Sequence, residues 1–234
     1  VSALLEVADI HTFIGQFHIL EGVTVEVLAN SITALLGRNG AGKTTTLRSI
    51  IGLSPPAAGA IRFRGEALAG RQPYDIARLG IGYVPDYRAI FRQLTVEENL
   101  KIAERRPGEL ARRLDFIFAI FPDLKRLFRW PGGQLSGGQQ QMLAIARALV
   151  PPNELLLIDE PSEGLAPVII EHMMAAIREL SGQTAVLLVE QNFRVAGQLA
   201  DRYVIIEDGR SVHAGAMAEL RQDAALVTRY LGAA

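Results

Sequence analysis

A chain of 234 residues that is 49% hydrophobic and 21% charged can bury one substantial core, which excludes a disordered polyelectrolyte. Its net charge of −1 gives no electrostatic reason to expect nucleic acid, and without cysteine it forms neither disulfides nor thiolate metal sites, a composition that fits a reducing compartment. No apolar run approaches the roughly 20 residues needed to cross a bilayer, and Glu6 and Asp9 interrupt the stretch a signal peptide would need, so any membrane role is expected to draw its spans from another chain.

In chain order, residues 4–10 and 17–28 read as alternating strands punctuated by Gly15 and Gly22. The apolar run 32–36 reads as a strand ending in Gly37, Gly40 and Gly42, and a helix is expected from Lys43 to about residue 52. Pro55, Pro56 and Gly59 break the chain before strands at 61–63 and 81–84. The segment 87–135 changes character. It is Arg-rich, aromatic and helical in pattern, and Thr95 with Glu98 makes a capping box for a helix through Leu100 and Ile102. We expect it to be a helical subdomain inserted into one domain spanning 1–234. A helix follows Gly137 as far as Val150, where Pro151 and Pro152 stop it. The wholly apolar stretches 155–158 and 185–189 read as buried parallel strands flanking a helix at 167–180. Residues 203–207, the Asp208-Gly209 turn and 211–214 form a hairpin, and a single amphipathic helix is expected over 217–231. The fold class expected is α/β, a mostly parallel sheet with an antiparallel β edge and a helical insert.

Gly37-Arg38-Asn39-Gly40-Ala41-Gly42-Lys43-Thr44 matches the phosphate-loop pattern G-x-x-x-x-G-K-[ST], with a strand before it and a helix after it. The glycines let successive N–H groups turn inward around phosphate oxygens, and the helix N-terminus, including Thr45, adds its positive end. Lys43 is placed to reach the β- and γ-phosphates, and the Thr44 hydroxyl to ligate Mg²⁺. Of 24 basic residues only Lys43, Lys101 and Lys125 are lysine. One of them standing here fits a site that needs a compact point charge and not a planar guanidinium.

The strand 155–158 runs into Asp159 and Glu160. Ligands of open α/β sheets bind at the carboxyl ends of strands, so both acids are expected to face the phosphate loop, Asp159 holding Mg²⁺ and Glu160 polarising an attacking water. About 20 residues earlier, Leu135-Ser136-Gly137-Gly138-Gln139 opens a helix whose N-terminus is a second anion site.

These three motifs, in this order, resemble the ABC ATPases, within the P-loop NTPase fold class, and the resemblance covers essentially the whole chain. It implies ATP and Mg²⁺ as ligands and ATP hydrolysis as the activity. It implies that Ser136, Gly137, Gly138 and Gln139 complete the site of a second ABC ATPase subunit, in a homodimer or heterodimer. It further implies transmembrane permease subunits as partners and a place on the cytoplasmic face of the cell membrane. Asn39-Gly40-Ala41-Gly42, residues 95–100, Gly164-Leu165-Ala166-Pro167, Val189-Glu190-Gln191-Asn192 and Tyr230-Leu231-Gly232 resemble the branch of branched-chain amino acid importers. Urea and short-chain amide importers look similar. A soluble ABC ATPase without a membrane partner and an ATP-binding regulatory paralogue with weak turnover remain open.

Three positions depart from the common ABC pattern. Asp86 stands where most members carry Gln, and we expect it on the metal side of the site. Gln191 replaces the usual switch His, and its amide is expected to donate to the γ-phosphate. Ile14 occupies the position of the aromatic that stacks on adenine. Phe13 and Phe17 are candidate substitutes but are favoured as core, so tolerance of GTP is expected. His11, His18, His172 and His213 show no metal spacing, and Arg105, Arg106, Arg112 and Arg113 read as a solvated helix face, with a coupling surface as the alternative.

Overall fold

A computed structural model of the chain describes residues 3–232; residues 1, 2, 233 and 234, which the expected single-domain span includes, lie outside them. The chain runs β1 (Ala3–Ile14), β2 (Phe17–Leu28), β3 (Ile32–Leu36), α1 (Lys43–Ile50), β4 (Ala58–Phe63), β5 (Glu66–Ala67), α2 (Pro73–Arg78) and β6 (Ile81–Val84). Three helices follow, α3 (Val96–Lys101), α4 (Glu109–Ile120) and α5 (Pro122–Arg126). Then come α6 (Gly137–Leu149), β7 (Leu155–Asp159), α7 (Pro167–Ser181), β8 (Ala185–Val189) and α8 (Phe193–Leu199). The hairpin β9 (Arg202–Glu207) and β10 (Arg210–Ala216), α9 (Met217–Leu220) and α10 (Ala224–Leu231) end the chain.

The strands form two sheets. One is antiparallel in the order β2-β1-β4-β5; the other has the order β10-β9-β3-β8-β7-β6, parallel except for β10. Every residue of β3, β7 and β8 is buried, as continuous apolar runs require when both faces of a parallel sheet are covered. The pleat then divides each strand between two cores. Leu156, Ile158, Val186 and Leu188 pack with α6, α7 and the helices α3 to α5. Leu155, Leu157, Leu187 and Val189 pack with β1, β2 and α1 on the other face. At about 1.5–3 kcal/mol for each fully buried aliphatic side chain, these two cores are the main stabilisation of the fold.

The parallel strands end level with one another. Asp159 pairs with Val189, Leu35 with Val189, and Val84 with Ile158, so the loops after β3, β6, β7 and β8 all leave the same edge. That edge carries the phosphate loop and the acidic strand end.

The structure corrects three expectations. The expected helix 217–231 is two helices, because Asp223 accepts the Leu226 N–H and caps a new helix instead of continuing the old one. Within the segment 87–135 lie α3, α4, α5 and a 3₁₀ turn at Gly132–Gln134, and a bridge joins Thr95 to Pro131. The Thr95–Glu98 capping box is present as expected. Arg105 is not part of a solvated helix face: it donates to Asn153 Oδ1 at 2.8 Å and to Ile81 O at 3.4 Å, and burial lowers its pKa. Phe13 and Phe17 are exposed and not core. Helices α2 and α8, which periodicity does not reveal in so few residues, start at Pro73 and behind the cap Asn192.

The turn between β9 and β10 joins the two sheets. Asp208 and Gly209 both have positive φ, Gly209 N–H donates to Ala41 O at 3.0 Å, and Gly209 O accepts from Glu21 N–H at 2.7 Å. A Cβ on Gly209 would lie 2.3 Å from Ile19 O. We predict that Gly209→Ala lowers stability by about 2–4 kcal/mol in urea or thermal unfolding, since it meets both an unfavourable φ and a backbone atom that cannot move independently.

Candidate active site

Residues 37–42 carry the chain from β3 into α1, with Gly37, Gly40 and Gly42 all at positive φ. At Gly37 a Cβ would lie 2.2 Å from Ile206 O, so the loop can sit against β9 only as glycine. Lys43 opens α1 and is only 4% exposed. Its ammonium donates to Gly37 O at 3.0 Å and Arg38 O at 3.1 Å and stands 3.5 Å from Glu160 Oε1. A buried ammonium must keep its donors engaged, and here they engage the loop itself. Phosphate oxygens, which carry charge, are stronger acceptors for the same donors.

Asp159 ends β7 fully buried. Its Oδ1 accepts from the Thr44 hydroxyl at 3.2 Å, and its Oδ2 has no hydrogen-bond partner. Burial pushes the carboxyl up to about 6, opposed by the Thr44 hydroxyl and Lys43 and reinforced by the charges of Asp86 and Glu160. An orphaned buried carboxylate oxygen beside a threonine hydroxyl fits a hard divalent cation such as Mg²⁺. Among the described residues no cluster of three or more His, Cys, Asp or Glu forms a metal cage.

Glu160 follows at φ 43, a left-handed conformation that costs a residue with a Cβ on the order of 1 kcal/mol or more. Its N–H is held by Val189 O at 3.0 Å. Its carboxylate lies between Lys43 and Gln191, whose Nε2 donates to Oε2 at 2.6 Å. Neighbouring Glu190 is buried, accepts the Ser162 and Asn192 N–H groups at 3.1 and 3.3 Å, and has its pKa raised by that burial.

A cleft of about 480 Å³ brings together Asn39, Gly40, Gly42, Lys43, Thr44, Thr45, Asp86, Glu160 and Gln191. Ile14 and Ile19 form its aliphatic end, where Phe13 and Phe17 do not reach; Phe13 instead stacks on His18 at 4.2 Å. Asp86 is exposed at the rim, its Oδ1 accepting from Tyr87 N–H at 2.9 Å. Ala41 is buried, and the Arg38 side chain turns away to Arg229 O at 3.2 Å, so Arg38 belongs to the loop through its backbone. Ser136, Gly137, Gly138 and Gln139 do not line this cleft. They open α6, where Ser136 and Gln139 cap each other reciprocally and Ser136 and Gly137 are exposed.

Sequence reasoning missed Ile19 and Glu163, which line the cleft, and Arg88, which donates to Gln141 Oε1 at 3.2 Å and so ties the Asp86 loop to α6. It also passed over Glu190, although an acid closing an otherwise apolar strand was a visible signal.

Comparison with known proteins places this geometry. The ABC transporter family model matches residues 20–163. The high-affinity branched-chain amino acid transport ATP-binding protein BraG of Pseudomonas aeruginosa is 40% identical over 232 residues, covering 98% of this chain and 100% of that protein. The probable branched-chain amino acid transport ATP-binding protein LivF of Archaeoglobus fulgidus is 37% identical over 221 residues, covering 93% of this chain and 94% of that protein. A crystal structure of the ADP conformation of MJ1267, an ATP-binding cassette of an ABC transporter, superposes with a TM-score of 0.84 at 26% identity over 100% of both chains.

The raised carboxyl of Asp159 makes a prediction with a definite sign. Its folded pKa, about 6, lies above the ordinary 3.8, so the folded state holds a proton that the unfolded state releases, and stability falls as pH rises through that window. Without nucleotide, Asp159→Asn should therefore be more stable than the natural protein at pH 8, by about 1–3 kcal/mol. The advantage should vanish near pH 4. Thermal unfolding across pH measures it.

Proposed function

The chain belongs to the ABC transporter family and is an ATPase; from that premise we propose that it energises a membrane importer of branched-chain amino acids. The observation that carries the catalytic reading is the convergence of Lys43, Glu160 and Gln191 within 3.5 Å steps at the mouth of the phosphate loop. The full-length likeness to BraG and LivF supports the cargo.

In this reading the N–H groups of residues 37–45 cradle the phosphates of ATP, and Lys43 exchanges its loop carbonyls for β- and γ-phosphate oxygens. Thr44 and Asp159 hold Mg²⁺, with Asp86 on the same side, and the ion when bound neutralises charge on the phosphate oxygens. Glu160, freed on one side as Lys43 turns to phosphate, accepts a proton from the attacking water. The water oxygen bonds to the γ-phosphorus while the bond to the bridging oxygen breaks, leaving ADP and phosphate. Gln191 moves its amide N–H from Glu160 to the γ-phosphate, frees the second carboxylate oxygen and holds the attacked group in line. Ile14 and Ile19 cover the base by apolar contact alone.

The exposed start of α6 at Ser136 and Gly137, with Gly138 and Gln139 behind it, completes the site of a second ABC ATPase subunit. We assign the chain to one domain over 1–234 in which the segment 87–135 meets transmembrane permease subunits at the cytoplasmic face of the membrane. Among the described residues no helix is long and apolar enough to cross a membrane.

Three outcomes test this. Glu160→Gln should keep ATP binding while phosphate release falls by about 100-fold or more, and the same chain should co-purify from membranes with permease subunits. Purification without any membrane partner would refute the transport role. GTP should be hydrolysed with a kcat/KM within about 10-fold of that for ATP, because an aliphatic contact distinguishes purines weakly. A strict ATP preference in competition assays would contradict that account of the base.

A further inference from the structure

A fully buried carboxylate with no cationic partner is costly, and Glu190 is one. It is 1% exposed and, among the described residues, forms no ion pair within 4.0 Å. Such a group persists where its two oxygens meet a need that no neutral side chain meets. One oxygen accepts the Ser162 N–H at 3.1 Å, in the loop after β7. The other accepts the Asn192 N–H at 3.3 Å, in the loop after β8. Glutamine offers a single acceptor and would turn its NH₂ towards one of these N–H groups.

The two loops joined in this way are the ones that carry Glu160 and Gln191. Ser162 lies two residues beyond Glu160, and Asn192 immediately follows Gln191. Further down, Glu160 N–H donates to Val189 O at 3.0 Å; at the tip, Gln191 meets Glu160 at 2.6 Å. Asn192 is itself fixed, because its Oδ1 caps α8 through the N–H groups of Arg194 and Val195. Glu190 therefore sits between a strand-end hydrogen bond and a side-chain contact, and it sets the spacing from one to the other.

We propose that Glu190 is a positioning residue for ATP hydrolysis, whose buried carboxylate spans the loops after β7 and β8 and fixes where Gln191 meets Glu160. This rests on the roles assigned above to Glu160 and Gln191. Glu190 does not line the cleft that holds Lys43, Glu160 and Gln191; it acts through the two loops it joins. A general stabiliser of the fold would act equally on every step, whereas Glu190 acts on hydrolysis.

The test is Glu190→Gln in the full chain with Mg²⁺ and ATP. Turnover should fall about 10- to 100-fold, with the KM for ATP changed by less than about 3-fold and the thermal midpoint kept. In a Gln191→Ala background the same substitution should change the remaining turnover by less than about twofold, because the residue it positions is already gone. Amide exchange over 160–165 and 190–194 should quicken in Glu190→Gln and stay unchanged elsewhere. Wild-type turnover in Glu190→Gln overturns the inference. So does an equal loss in both backgrounds, or unchanged exchange in the two loops. A natural chain without turnover overturns the catalytic reading instead, and the exchange measurement still decides whether Glu190 fixes the loops.

Discussion

The register of the parallel sheet is the constraint on which the site depends. β3, β7 and β8 are buried on both faces, and a shift by one residue in any of them would exchange the side chains of its two cores. Burial therefore holds the strand ends level, and the ends place Gly37, Asp159, Glu160 and Gln191 at one edge. The apolar interior acts here as a ruler. None of these residues needs to attract another across the chain for the site to assemble.

What the sheet brings together is electrostatically unbalanced. Three acids, Asp86, Asp159 and Glu160, share the region with one buried ammonium, and burial above all, reinforced by the charges of Asp86 and Glu160, holds the Asp159 proton up to about pH 6. The imbalance is a local expense met by the cores, and it suits a site that takes up a divalent cation along with its substrate. Lys43 is shared between loop carbonyls and Glu160, and Gln191 occupies the other carboxylate oxygen. The groups assigned to catalysis thus satisfy one another.

Other features divide by what they face. The aliphatic end of the cleft lies at Ile14 and Ile19, while its polar and charged groups gather around the glycine loop. The signature residues at the start of α6 do not line their own cleft, and Ser136 and Gly137 are exposed. Arg88 and Glu190 are structural counterparts: each links a loop of the cleft to a neighbouring element, one through a guanidinium and the other through a carboxylate.

By itself the sequence determined the parallel strands, the phosphate loop, the acidic strand end and the signature, because each is a short pattern whose chemistry is local. Continuous apolar runs mark buried strands, and closely spaced glycines before Lys-Thr mark an anion cradle, wherever the rest of the chain goes. It did not determine whether Phe13 and Phe17 are buried, that Arg105 turns inward to Asn153, or that the last helix breaks at Asp223. Those outcomes depend on neighbours many residues distant, or on a side chain choosing to cap a helix. Only the tertiary structure decided that Gln191 and Lys43 occupy the two oxygens of Glu160, and that Glu190 joins the loops beside them. A hydrogen bond between two strand ends is a property of their spacing in the sheet, and spacing across a sheet is written in no contiguous stretch of the chain.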